Sequence, residues 1–247
     1  MKTKILFGIV LAFLLSLHVN AANGLVMGDL TKRQQDSIIF AFPYCMPGTV
    51  YFKDGSVSNA KLNYNYYDPQ VLFRNDKPES PEDTLRRLDN LSNVQLILIG
   101  ERMFVPVLSG LGEVILNNRI RLILSRKVNI EEKKTGAYGT GGSTSSIRSV
   151  SGINSNGTNS SGYTGQTSFA SVEYDFASTS ELSIDNRLFL MKDTKLVPLT
   201  KKNLLKMFPG AADFINRYLE EQKPALDDPE AMKNMVNLIY ANGGGQK

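Results

Sequence analysis

Histidine is almost missing from this 247-residue chain, with His18 the only one. It falls inside the N-terminal leader described below, so the processed chain is expected to carry no imidazole at all. Ser-His-Asp triads, Cys-His dyads and histidine-ligated zinc are thereby excluded. Cysteine is equally scarce. Cys45 stands alone and can form neither an internal disulfide, a thiolate zinc site nor an iron–sulfur cluster. The expectation for it is a small buried apolar residue, and stability has to come from a hydrophobic core. Tryptophan is absent, which weakens a sugar-stacking function without closing it. The net charge is only +4, half of it from Lys2 and Lys4 of the leader, so nothing points to nucleic acid. P-loop, dinucleotide, nucleophile-elbow and EF-hand patterns are missing too, and the chain is expected to work without metal or cofactor.

Long apolar runs are also lacking, with one exception. Ile5 to Leu17 is almost wholly apolar, follows the basic Lys2 and Lys4, and precedes Val19 and Ala21 at the −3 and −1 positions. That is the grammar of a cleavable secretory signal, with cleavage after Ala21 and Ala22 as the near alternative. The run is short of the roughly 20 residues a membrane helix needs, and later stretches such as Val94 to Ile99 are shorter still. The expectation is therefore an extracytoplasmic protein, periplasmic or secreted to the cell surface, with no membrane span after cleavage.

What is present divides into four zones: a signal peptide at 1–21, a β-rich domain at 22–132, a flexible Gly/Ser/Thr-rich linker or loop at 133–168, and a strand pair plus helices at 169–247. In the second zone Ser37 to Phe42 reads as a strand entering the core. Lys53-Asp54-Gly55 between β-formers predicts a hairpin, and Asp68-Pro69 a second turn. Ser80-Pro81-Glu82-Asp83 has the form of a helix start. Val94 to Ile99, Arg102 to Val107, Glu113 to Leu116 and Arg119 to Val128 read as further strands, with Asn117-Asn118 as a turn. In the fourth zone Ser171 to Phe176 and Arg187 to Met191 are the predicted strands. Three helices follow: one capped by Thr200, one over Ala211 to Gln222, and one with Asp228 as cap and Pro229 as its first residue. The fold class expected is α+β, an antiparallel β meander or barrel-like sheet followed by a short C-terminal helical region.

Chemistry is harder to find. Ser58-Asn59-Ala60-Lys61 and Lys134-Thr135-Gly136 spell words found in penicillin-binding proteins, yet the first lies in a predicted hairpin and the second opens the linker. Glu131-Glu132, Glu220-Glu221 and Asp227-Asp228 are adjacent acids of the kind that cap helices or face solvent. The one positive feature is Asn63-Tyr64-Asn65-Tyr66-Tyr67. Strand alternation puts Tyr64 and Tyr66 on one face and Tyr67 on the other. Apolar area with a polar tip suits tyrosine to ligand contact, so Tyr64, Tyr66 and Tyr67 are the candidate ligand-binding residues.

Gly48 to Ser56 followed by Leu62-Asn63-Tyr64-Asn65, then Gly136-Ala137-Tyr138-Gly139 before a Ser/Thr tract, and Asn203 to Pro209 near the end together resemble an uncharacterised family of secreted Bacteroidota proteins. The resemblance implies an exported chain with N-terminal β-hairpins and a helical end; it brings no site residues. The expected function is a non-catalytic binding or scaffolding protein of the cell envelope, with a glycan, a peptide or an envelope protein as partner. A carboxylate-dependent hydrolase is the alternative.

Overall fold

The computed structural model describes residues 25–74, 86–88, 91–132, 174 and 176–242. Eleven strands among them form one antiparallel sheet. In chain order these are β1 (Leu25–Val26), β2 (Met46–Phe52), β3 (Val57–Asn65), β4 (Gln70–Arg74), β5 (Arg86–Arg87), β6 (Val94–Ile99), β7 (Arg102–Val107), β8 (Gly110–Leu116), β9 (Ile120–Glu132), β10 (Ser180–Lys192) and β11 (Lys195–Pro198). The helices are α1 (Lys32–Ile39), α2 (Lys201–Met207), α3 (Ala212–Gln222) and α4 (Pro229–Ala241). The strands run β1-β10-β9-β8-β7-β6-β2-β3-β4-β5, with β11 beside the far half of β10. The α+β class stands, with three of these four helices at the C-terminal end and α1 ahead of β2.

The second and fourth zones of the sequence are not separate in space. β9 and β10 pair along thirteen residues each, from Ser180 opposite Glu132 to Lys192 opposite Ile120. The sheet also curls without closing: the Val128 N–H donates to the Tyr66 carbonyl at 3.0 Å, joining β9 to the end of β3 across five intervening pairings. The concave side holds a core of Leu62, Tyr64, Ile97, Ile99, Phe104, Leu111 and Val128. Farther along β9 and β10, Leu122, Leu124, Leu188 and Leu190 receive Leu204, Phe208, Ile215, Met232, Met235, Val236 and Ile239 from the three last helices.

Local chemistry explains most elements. Asp54 accepts from the Ser56 N–H and hydroxyl in the first hairpin turn, where Gly55 takes φ 86°. Thr200 caps α2, and Asp228 accepts from the Glu230 and Ala231 N–H groups to start α4. Two strand expectations need correction. Ser37 to Ile39 finishes helix α1, because Thr31 and Gln34 form a capping box that starts the helix upstream. Only Phe40 bridges to the sheet, opposite Asn65. Tyr174 and Phe176 lie outside any strand, and β10 begins later, at Ser180. The Ser80 helix start and the 133–168 segment lie outside the described residues, although Arg86–Arg87 form a short strand. Among the described residues no helix is long and apolar enough to cross a membrane.

Candidate binding site where the β3–β4 turn meets the end of β9

β3 changes character along its length. Val57 to Asn59 is exposed, whereas Leu62 to Tyr66 is buried on both sides. The second layer comes from the chain after α1: Ala41 N–H donates to the Tyr64 carbonyl and Tyr66 N–H to the Ile39 carbonyl. Asn63 fits this layer because its side chain does both jobs, donating to the Phe42 carbonyl at 2.8 Å and accepting from the Phe42 N–H at 3.2 Å.

Two of the three candidate tyrosines are corrected by this arrangement. Tyr64 is 1% exposed and Tyr66 5%, so neither can present a ring to a ligand. The Tyr64 hydroxyl accepts from the Leu111 N–H at 3.0 Å, and its ring packs edge-to-face on Tyr66 at 5.4 Å. Burial pushes the Tyr64 phenol up to about 12. Gly110, at φ 116°, makes room for that hydroxyl: a Cβ there would stand 2.6 Å from it. Tyr66 accepts from Arg102, whose guanidinium also grips both Glu113 oxygens and the Ala41 carbonyl at 2.5 to 2.8 Å. Phe42 and Phe104 flank that guanidinium at 4.8 and 5.3 Å. This network locks β3, β7, β8 and the post-α1 segment together.

Tyr67 is different. It sits in the β3–β4 turn, half-buried, and meets two rings that the sequence pattern did not single out. Tyr174 and Phe176 stack on each other at 5.5 Å with 13° between their planes. Tyr67 stands edge-on to both, at 5.2 and 5.4 Å. Asn65 fixes the group from below. Its amide donates to the Tyr174 hydroxyl at 2.5 Å, while its oxygen accepts from the N–H groups of Tyr67 and Asp68. Polar side chains border the rings: Asp68 accepts from Gln70 at 2.9 Å and pairs with Arg87 at 3.6 Å. Among the described residues the buried Gln70 Oε1 has no hydrogen-bond donor, an acceptor left over beside the aromatic group. Burial raises the Tyr67 and Tyr174 phenols, and the Asp68 carboxylate adds to the effect, so both remain neutral hydroxyl donors at ordinary pH. The available signal for Tyr174 and Phe176 was their i, i+2 spacing a few residues after the polar 133–168 segment.

The other candidates are unremarkable in place. Glu131, Glu132, Glu220, Glu221, Asp227 and Asp228 are all exposed, and Asp228 is engaged as a cap. Ser58 and Lys61 lie on β3 rather than at a helix start, and both are exposed. Cys45 is half-buried, and that burial pushes its thiol up despite Arg74 and Lys61 nearby, opposite to what an activated nucleophile needs. Among the described residues no group of three or more His, Cys, Asp or Glu could hold a metal ion. No protein-family model matches the chain, and no match was found among curated proteins or among solved structures.

Proposed function

We propose that this chain is an exported, non-catalytic binding protein of the cell envelope, and that Tyr67, Tyr174 and Phe176 form its contact surface. One observation carries the reading: three half-buried rings are held in a fixed array by each other and by Asn65, with a carboxylate, a guanidinium and an amide oxygen that has no donor among the described residues at their border. Rigid aromatic area beside a few convergent polar groups suits a ligand with apolar faces and hydroxyl edges, and a glycan is the partner class that fits best. The rings are already ordered, so binding would cost little side-chain entropy.

The test is binding of the purified chain to polysaccharide from the envelope, followed by calorimetry or affinity electrophoresis, with Tyr67→Ala and Tyr174→Ala beside the unaltered protein. Each substitution is expected to weaken binding at least tenfold, in line with about 1.4 kcal/mol or more per lost ring contact. Binding that survives both substitutions unchanged would refute the assignment, as would a chain that binds no glycan but captures a peptide through the same rings.

A further inference from the structure

Asn65 is buried, and its amide is committed at both ends. The oxygen accepts from the Tyr67 and Asp68 N–H groups at 2.9 and 3.1 Å. Main-chain N–H groups can only donate, so they fix which end of the amide is which, and the NH2 end is the one that meets the Tyr174 hydroxyl. That hydroxyl therefore accepts from Asn65. Its single proton lies on the other side of the oxygen, in the plane of the ring. Among the described residues nothing accepts that proton. A donor held in one direction beside an aromatic surface dictates what a ligand must present there.

Asp68 supplies the complement. Its N–H shares the Asn65 amide with Tyr174, so the two residues stand side by side. The Asp68 side chain is 41% exposed, and Gln70 and Arg87 engage its Oδ2. Among the described residues Oδ1 has no donor, which leaves an acceptor open to solvent. A carboxylate in that place also disfavours an acidic ligand. What fits is a neutral group with a carbonyl for Tyr174, an N–H for Asp68 and apolar carbon for the rings. We propose, resting on the glycan reading above, that the sugar bound here is an N-acetylated hexosamine. Its acetamido carbonyl accepts from the Tyr174 hydroxyl, its N–H donates to the Asp68 carboxylate, and its methyl group packs on the ring array. A plain sugar hydroxyl can turn to donate or accept, so a preset donor gives it no advantage. An amide has fixed ends, and so does the site. Asn65 is then a positioning residue that sets selectivity without touching the sugar.

Calorimetric titration of the purified chain with three oligomers of equal length tests it: chito-oligosaccharide, its de-N-acetylated form and cello-oligosaccharide, which lacks the acetamido group. The N-acetylated oligomer is expected to bind at least about fivefold more tightly than either of the others, the worth of one directed hydrogen bond. Tyr174→Phe keeps a ring in the stack and removes the hydroxyl, and is expected to bring the three affinities within about twofold of one another. Asn65→Asp still accepts the two turn N–H groups, but its second oxygen takes the Tyr174 proton that the ligand needs, so the preference should vanish here too. A merely structural disturbance would weaken all three oligomers in proportion and leave their ratios unchanged. Equal affinities in the unaltered protein overturn the inference while the glycan reading stands, as does tightest binding of the de-N-acetylated oligomer. A preference that survives Tyr174→Phe overturns it as well. Binding of none of the three defeats the glycan reading and the inference together.

Discussion

Arg102 is a charge held inside the curl of a sheet, tolerable because Glu113, Tyr66 and Ala41 take up its N–H groups. Replacing it with Met keeps the volume and strands the half-buried Glu113 carboxylate. The expected cost is about 2–3 kcal/mol in urea unfolding. Pairing Arg102→Met with Glu113→Leu should recover part of it, and a double variant as unstable as the single one would show the pair is not coupled. Tyr64 makes a different prediction, read in pH. Its phenol is raised to about 12 in the fold against about 10 in the unfolded chain. The neutral form is the one the fold favours, so this contribution is complete below about pH 10 and disappears as pH rises toward 12. Tyr64→Phe should lose about 1 kcal/mol at pH 7, from the bond to Leu111, and show a flatter stability profile between pH 10 and 12. A variant with the same alkaline slope as the unaltered protein would place the titration elsewhere. The buried side of β3 was hard to read because a single strand cannot reveal that the chain after α1 lies across it; Tyr64 and Tyr66 kept their shared face, but that face is the core.

Elements with their own local grammar were legible, and those defined by distant partners were not. α4 is the clearest case: Asp228, Pro229 and the Met232, Met235, Val236 and Ile239 stripe give its start, direction and buried face directly. Asp228→Ala is expected to cost about 1 kcal/mol and lower the thermal midpoint by a few degrees, with Asp228→Asn nearly neutral. Equal losses for both would mean that charge near the helix dipole outweighs the cap bond. The opposite case is α1. The run Ser37 to Phe42 has strand composition, yet the Thr31–Gln34 capping box sets a helix that carries Ile38 and Ile39 into the core. A capping signal six residues upstream outranked local β propensity. Tyr174 and Phe176 show a third way to miss. Their environment depends on Asn65, more than a hundred residues earlier, and no local period reports such a contact.

At the scale of the molecule, one sheet serves two cores, and the helices are needed for the second. The strand content and helical end were readable from periodicity and caps, but the pairing of β10 with β9 spans the 133–168 segment and could be fixed only by thirteen residues of mutual register. That pairing puts Leu122, Leu124, Leu188 and Leu190 on one face, and the helices cover it with seven side chains that show no exposure: Leu204, Phe208, Ile215, Met232, Met235, Val236 and Ile239. At roughly 1.5–3 kcal/mol for each, their burial supplies on the order of 10–20 kcal/mol before entropy is counted. A domain's whole net stability is about 5–15 kcal/mol. A chain ending at Pro198 is therefore expected to lose cooperative unfolding and to bind a hydrophobic dye such as ANS, with near-ultraviolet circular dichroism flattened. Were the shortened chain to unfold in one sharp transition, the concave core around Phe104 and Ile97 would be self-sufficient, and the helices would be a separable attachment instead of the second wall of the same sheet.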